Sequence, residues 1–446
     1  MWVTSSGRPE NDMNSSKMIQ DPVHGSIVVD GMFLDIMDRP EMQRLRLVKQ
    51  LGLGYLVFPG ANHTRFEHCL GAYHLAGRMA FAIGLDKGDS DTVRMAGLLH
   101  DVCHPPFSHS LESLMEEATG MDHMDLARAL ITGKIRNHRI LDDDLFDGLR
   151  PIGEEISRFG IDPQEVCDLI AYPVSNKDNL DSFVGKHDYF PSKDYAHQII
   201  HGPVDADQMD YLMRDAYYTG ISHGTIDCDR LINTMQVHND RIVIRRGGTA
   251  AAEGLMVSRS LMYTSVYFHE TTRIAQKMLT KAVAHSGLDL FDMYLWNDSD
   301  LIQKVVDSGG KSSNCIRRIL NRDINKKAFA VYSADMTEDI ASKLIEFTNK
   351  EGVRRLEQEI ADQADIDVFH IGVETTSKTN LQNNMNIGKT DVSIIDEEGK
   401  VRSLARFSPI ARSLQARDPY SWAIMVSAPA PFKEQVEKAA KKVLSL

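Results

Sequence analysis

The run Ala96-Gly97-Leu98-Leu99-His100-Asp101-Val102-Cys103-His104-Pro105-Pro106-Phe107-Ser108-His109 puts three histidines and an aspartate behind an apolar lead-in. The lead-in predicts a helix that continues until Pro105 and Pro106 break it. A helix turns about 100° per residue, so the adjacent His100 and Asp101 can both reach one cation. His104, one turn after His100, is expected on the same side. The next segment should open near Ser108 or His109. The stretch therefore reads as a metal-site candidate on a helical scaffold, with acid/base groups beside it.

Working outward, the segment 65–85 has Phe66, Leu70, Tyr73, Leu75, Ala76 and Met79 at helical spacing and carries His68 and His74. From 91 to 214 the pattern is almost wholly helical, with turns expected at Gly120, Gly133, Pro151, Pro163 and Pro203. The polar stretch 172–193 reads as a long loop and a candidate lid. Upstream, 1–16 reads as a disordered lead, 26–29 as a strand, 32–37 and 40–48 as short helices, and 51–60 as a glycine-rich aromatic loop. Downstream, 237–245 is expected as a strand and 250–285 as one long helix. After 325 the pattern changes. Strands are expected at 329–333, 367–374, 391–395, 401–404 and 421–427, and helices at 336–350, 352–363, Pro409–Gln415 and 432–444. The predicted fold is mainly α, with a large helical domain (17–324) and a smaller C-terminal α+β module (325–446).

Size and composition set outer bounds. The 446 residues suffice for one large core and a smaller one. With 42% apolar and 25% charged residues the chain has ordinary globular composition. A net charge of −13 gives no strong nucleic-acid signal, since a general binder needs a basic face. A small polyanionic substrate stays compatible, because a metal and a few arginines reverse the sign locally. The five cysteines (69, 103, 167, 228, 315) are unclustered, which suggests neither a disulfide framework nor a thiolate zinc site. Cys69 and Cys103 lie beside candidate ligands and read as buried, inert thiols. No run approaches the ~18 apolar residues of a membrane span, so no membrane association is expected and the cytoplasm is the expected compartment.

His68 and Asp207 bracket the His100–Asp101 pair. Two imidazoles and two carboxylates suit one divalent transition metal (iron, manganese, nickel or zinc) better than calcium. Taken singly each residue has a bland reading. A lone histidine on an amphipathic helix is commonly structural, and Asp205, Asp207 and Asp210 could simply offset a helix dipole. The ordered set His…His-Asp…Asp is the signal.

The segments Asp21-Pro22-Val23-His24-Gly25, Lys49-Gln50-Leu51-Gly52, 57–68 (ending Thr64-Arg65-Phe66-Glu67-His68), 96–109 and 207–215 resemble the HD-domain phosphohydrolase superfamily. Within it they are similar to the branch of the sterile-alpha-motif/HD dNTP triphosphohydrolase and its bacterial and archaeal relatives. The likeness covers 17–290, is compatible with the C-terminal module, and concerns the HD core only. It implies that His68, His100, Asp101 and Asp207 hold the metal, with Mg²⁺ a further candidate at the substrate phosphates. It makes His109 the catalytic histidine, oriented by Glu112, and points His104 and His123 at the leaving group or the phosphate charge. For substrate it implies Gln50 and Leu51 at the sugar face, Arg65 and Arg259 at phosphate, Tyr211 and Asp215 at the phosphate tail and sugar hydroxyl, and Tyr267 stacking on base or sugar. It also carries a candidate regulatory nucleotide site (Asp38, Gln43, Arg46, with Lys17 and Arg230) and a homo-oligomer, dimer or tetramer. Asp38 to Arg46 could equally be a solvated turn with a surface ion pair.

The sequence departs from the family pattern where Gln208 replaces a lysine, Tyr263 a histidine and Glu270 a lysine. The implied activity is hydrolysis of a dNTP to deoxynucleoside and triphosphate. Phosphatase action on nucleoside monophosphates or another phosphorylated metabolite is one alternative. A nucleotide-binding regulator with a residual site is another.

Overall fold

The computed structural model describes residues 16–137, 149–171, 194–375, 392–415 and 422–446. The expected lead and the candidate lid at 172–193 fall outside these, apart from Ser16, which opens the first strand. Strands β1 (Ser16–Asp21) and β2 (Gly25–Asp30) form an antiparallel hairpin with Ile19 opposite Ile27. Period-two alternation buries Ile27 and Val29 and leaves Met18 and Val28 outside.

Three helices position the site: α1 (Arg65–Ala82), α2 (Lys87–Leu99) and, much later in the chain, the helix Ala206–Thr219, which packs against α1. Helix α1 starts at a capping box in which Thr64 N–H donates to Glu67 Oε2 (2.5 Å). Asp86 caps α2 by accepting from Asp89 N–H at 2.9 Å. On α2, a Cβ at Gly97 would lie 3.2 Å from the Ala72 carbonyl, so glycine lets α1 and α2 approach closely. Between them and the late helix come α3 (Glu112–Thr119) and α4 (His123–Ile131), which carry further site residues. The Ala206–Thr219 helix is α5; Asp205 caps it through Gln208 N–H (2.7 Å), and Gly220 ends it at φ 74°.

The decisive stretch differs from its expectation. Helix α2 stops at Leu99, well short of Pro105, and 100–104 form a turn instead. The turn is held from elsewhere in the chain: the Arg44 guanidinium donates to the Val102 and His104 carbonyls (2.8 and 2.9 Å), and Pro106, which has no N–H, could not have served Val102 in a longer helix. The expected long helix 250–285 is likewise broken. It forms α6 (Thr249–Met262), a π-helical turn (Tyr263–Tyr267) and α7 (Glu270–Ala284). The segment 40–48 is a short α-turn (Pro40–Gln43) followed by a 3-10 turn (Arg44–Leu47), and 51–60 contains a 3-10 turn (Gly52–Leu56). The 336–350 helix ends early because Asn349 starts a new one, accepting from Gly352 N–H at 2.7 Å. Residues 367–374 begin as a 3-10 turn (Val368–His370) before the strand. Helices Asp298–Asp307 and Gly310–Leu320 were not foreseen.

The remaining strands make two sheets. Strands β3 (Met235–His238) and β4 (Arg241–Arg245) continue into β7 (Ser393–Ile395) and β8 (Val401–Ser403), with β4 and β7 parallel. Strands β5 (Lys326–Tyr332) and β6 (Gly372–Thr375) flank β9 (Trp422–Ala428), which is buried along its whole length. A small core around Leu356, Ile360, Ile424, Val426 and Val436 adjoins the main one. The protein is mainly α with a C-terminal α+β part.

Candidate active site

The structure brings His68, His100, Asp101 and Asp207 together. His68 lies one turn into α1, and its Nε2 stands 3.5 Å from Asp101 Oδ2 and 3.2 Å from Asp207 Oδ1. His100, at the end of α2, uses Nδ1 to bond the Gly97 carbonyl (2.9 Å) and turns Nε2 to within 3.5 Å of Asp101 Oδ1. Both Nε2 atoms are buried and make no hydrogen bond of normal geometry. Donor atoms of His68, His100 and Asp101 lie within 4.8 Å of one another. Buried ring nitrogens that face carboxylates without a partner fit a metal site, since each orphaned polar atom otherwise costs about 1–3 kcal/mol. Charge agrees. Burial disfavours a charged His68, yet the Asp207 and Asp210 carboxylates outweigh it and lift its pKa to about 10. The pocket calls for a cation that a divalent ion can provide once the proton leaves.

Beside this set stands a second group. His109 Nδ1 bonds Glu112 Oε2 (3.0 Å), while an Arg65 nitrogen lies 3.3 Å from its Nε2. Arg65 donates only, so His109 Nε2 accepts and Nδ1 carries the proton. His109 is 69% exposed, open to a ligand. His123 Nδ1 holds the other Glu112 oxygen (2.9 Å) and its ring stacks on His104 at 4.3 Å. His104 is fully buried with both ring nitrogens unpartnered. Burial, reinforced by Arg65 and His123, pushes its pKa well down, so its ring is neutral. His104 Nε2 stands 3.3 Å from Glu112 Oε1 and 3.7 Å from Asp101 Oδ1, bridging the two clusters.

Arg65 connects the clusters too, pairing with Asp101 and donating through Nε to Ser108 Oγ (2.9 Å). Of the other expected substrate residues, Asp215 is held by His63 Nε2 and the Tyr267 hydroxyl, each at 2.7 Å. Tyr267 meets Tyr211 and Tyr263 edge-on, and Arg259 lies 5.6 Å above the Tyr263 ring. Gln50 is buried with Oε1 unpartnered, and Leu51 packs against the main core. Gln208, which replaces the family lysine, is buried, and its amide caps the Gly202 carbonyl (2.9 Å).

The candidate regulatory residues fall into separate settings. Gln43 bonds the Met37 carbonyl and Arg46, and Arg46 also stacks on Phe66 at 3.6 Å. The nearby Asp38 charge acts on Arg46. Arg230 donates to the Gly247 carbonyl (2.8 Å), and Lys17 is exposed on β1. Cys69 and Cys103 are buried thiols, and burial pushes Cys103 to about 12, so neither offers a thiolate.

Two residues escaped the sequence reading. Arg44 holds the turn after α2, as above. Asp298 accepts Phe107 N–H through Oδ1 (2.8 Å) and Lys49 N–H through Oδ2 (3.1 Å), tying together the loops that carry His109 and Gln50. Phe107 and Ser108 both sit at left-handed φ (55° and 56°), a conformation costly for non-glycine residues, so this loop needs the tie. No local motif announces Asp298. Burial lifts its carboxyl from 3.8 to about 6. The native state thus holds the proton more tightly than the unfolded chain. That contribution is complete below pH 3.8 and is lost as pH rises through about 6. The difference is worth about 3 kcal/mol. Chemical unfolding of wild type and Asp298→Asn between pH 4 and 7 should show this slope in the difference between the two stabilities, where the other titrating groups cancel.

Comparison with known proteins follows the same outline. An HD domain description matches residues 65–214, and an HD associated region description matches 226–446. An uncharacterized Methanocaldococcus jannaschii protein is 32% identical over 430 residues, spanning 95% of this chain and 80% of its own. The chain belongs to the HD-domain phosphohydrolase superfamily. An uncharacterized Bacillus subtilis relative of this HD protein is 36% identical over 290 residues (64% of this chain). Human deoxynucleoside triphosphate triphosphohydrolase SAMHD1 is 31% identical over 295 residues (60% of this chain). The HD chain spans only 59% and 44% of the lengths of those two relatives. A solved structure of a hypothetical protein from Aquifex aeolicus is 26% identical and superposes with a TM-score of 0.65, covering 95% of this chain and all of that one. Among the described residues of the HD protein, no helix is long and apolar enough to cross a membrane.

Proposed function

We propose that this protein is a metal-dependent phosphohydrolase acting on nucleotides, cleaving deoxynucleoside triphosphates to deoxynucleoside and triphosphate. The observation that carries the reading is the convergence of four ligand side chains, from α1, α5 and the turn after α2, beside the Arg65–His109–Glu112 group. Similarity to the triphosphohydrolase named above supports the nucleotide substrate.

His68, His100, Asp101 and Asp207 would hold the ion, which when bound supplies Lewis-acid polarisation of a phosphoryl oxygen. Arg65 brings a guanidinium that offsets phosphate charge. His109, exposed at the mouth, keeps Nδ1–H on Glu112, so it would pass a proton to the leaving oxygen from Nε2, once protonated there and released by Arg65. His104, neutral and unpartnered, can donate from one nitrogen into the pocket. Asp215, anchored by His63 and Tyr267, would meet the sugar hydroxyl, with Gln50 and Leu51 along the sugar face and Tyr211 and Arg259 toward the phosphate tail. A homo-oligomer, a cytoplasmic location and an activating nucleotide at Asp38, Gln43 and Arg46 belong to the same proposal.

A second reading, phosphatase action on monophosphates, is favoured by Gln208. Its side chain caps a carbonyl and brings no cation to the phosphate tail. A chromatographic product screen over dNTPs, NTPs and monophosphates, with Mn²⁺ or Mg²⁺ and with or without GTP, decides. Deoxynucleoside plus tripolyphosphate supports the leading reading, orthophosphate the second. No turnover of any nucleotide by metal-replete protein defeats both.

The Glu112 carboxylate sits among three histidines, and its hydrogen bond and charge raise His123 despite that ring's burial. Glu112→Gln is therefore expected to lower kcat about 100-fold. It should also move the alkaline limb of the pH–rate profile to lower pH, because the His123 imidazolium loses its counter-charge. An unmoved limb would assign proton transfer elsewhere.

A further inference from the structure

Behind His68, away from the substrate side, lies a buried chain of charges that the proposed chemistry does not use. Asp210, on α5, accepts His68 Nδ1–H at Oδ2 (2.8 Å) and faces His24 Nε2 at Oδ1 (2.6 Å). Arg214, one turn on, grips both Asp210 oxygens (2.8 and 2.9 Å) and reaches through its third nitrogen to Asp21 Oδ2 (2.8 Å). Asp21 in turn folds the hairpin turn by accepting Val23 and His24 N–H (2.9 and 2.8 Å). Asp210, Arg214 and Asp21 are all essentially inaccessible to solvent. Four donors saturate the Asp210 carboxylate, so it has no lone pair left for a metal, and its orientation is fixed. As an acceptor only, it compels the His68 proton onto Nδ1. The Nε2 lone pair is then turned toward Asp101 and Asp207.

A purely structural ion pair would need only Asp21, Arg214 and Asp210. The two histidines are additional, and His24 comes from the N-terminal hairpin, 186 residues from Asp210 in sequence. We infer that the turn Asp21–Gly25 is a metal-positioning element: His24 and Arg214 lock Asp210, and Asp210 sets the tautomer and ring orientation of His68. This rests on His68 being a metal ligand. None of these three residues touches substrate; they act through His68.

The test is Co²⁺ titration of apo wild type, His24→Phe, His24→Gln and Asp210→Asn, followed by the visible d–d spectrum, with thermal midpoints measured alongside. His24→Phe keeps a ring against His74, 5.3 Å from His24 in the native protein, and deletes the donor. His24→Gln restores a donor. Co²⁺ affinity should fall about 10-fold in His24→Phe and up to about 100-fold in Asp210→Asn, with a shifted spectrum. His24→Gln should recover most of the loss. Wild-type affinity and spectrum in folded His24→Phe overturn the inference, even where Asp210→Asn fails to fold. Failure of wild type to bind Co²⁺ overturns the metal reading itself and this inference with it. Normal binding by wild type with indifferent variants removes only the inference.

Discussion

His100→Ala is expected to strip the metal and lower turnover about 1,000-fold or more while leaving the protein folded. The scale is that of deleting a principal electrostatic stabiliser from an active site. The imidazole contributes little to folding, since it makes one hydrogen bond, to the Gly97 carbonyl, and its other nitrogen has none. Truncation removes an orphaned polar atom along with some packing, so the net stability change should be within about 2 kcal/mol. Asp101→Ala would be a poorer probe. Asp101 pairs with Arg65 inside the protein, and its removal strands a buried guanidinium, which alone costs about 3–5 kcal/mol. Metal content per chain by mass spectrometry, with steady-state rates on the substrate found in the product screen, checks the prediction. Cys103→Ser, three residues away at a thiol that burial keeps protonated, is the control and should retain metal and rate. A His100→Ala protein with full metal and full activity would take the ion, and the proposed chemistry with it, out of this cluster.

What could be read in the sequence was the part whose chemistry lies in residue type. Two histidines and two aspartates in the order His…His-Asp…Asp announce a cation whatever the backbone does between them, and they meet even though α2 ends earlier than its prolines suggest. Helix starts were legible for the same reason: Thr64 with Glu67, and Asp205 before Gln208, act within one turn. Asp205 does sit at the start of α5, where an aspartate offsets the dipole, and it also caps the helix through Gln208 N–H. Asp210 does more than offset a dipole, and its role is not legible locally because its partners His24, His68 and Arg214 assemble only when the hairpin, α1 and α5 pack. Arg44 and Asp298 were invisible on similar grounds. Each satisfies backbone groups of loops remote in sequence, and an arginine or aspartate that will do so carries no local mark. Gln208 is the mirror case. Its identity revealed a missing cation, but only the fold shows its amide spent on the Gly202 carbonyl. The break in the 250–285 helix likewise followed no proline or glycine; the π turn spans Tyr263 to Tyr267, where two tyrosines are set edge-on.

The same alanine substitution at two helical glycines should have opposite signs. In a solvent-facing helix, glycine to alanine gains up to about 1 kcal/mol, because alanine loses less backbone freedom on folding. Gly254, on α6, meets that condition: a Cβ there would contact nothing within 4 Å. Gly71, on α1, does not. A Cβ built on it would lie 1.8 Å from Asp210 Oδ1 and 2.6 Å from the Arg214 guanidinium. Neither neighbour can swing into solvent, since both are buried and bonded to each other, to Asp21 and to two histidines. Either α1 and α5 separate or the Asp210–Arg214 pair breaks. Breaking a buried pair costs about 3–5 kcal/mol, several times the propensity gain. Gly71→Ala should therefore lose about 3 kcal/mol and about 5 °C in thermal midpoint, and any folded fraction should bind metal more weakly because His68 has lost its fixed partner. Scanning calorimetry of Gly71→Ala and Gly254→Ala side by side measures the contrast. Equal stability of the two proteins would mean that α5 does not press Asp210 against α1, and the placement of His68 over Asp207 would have to be rebuilt.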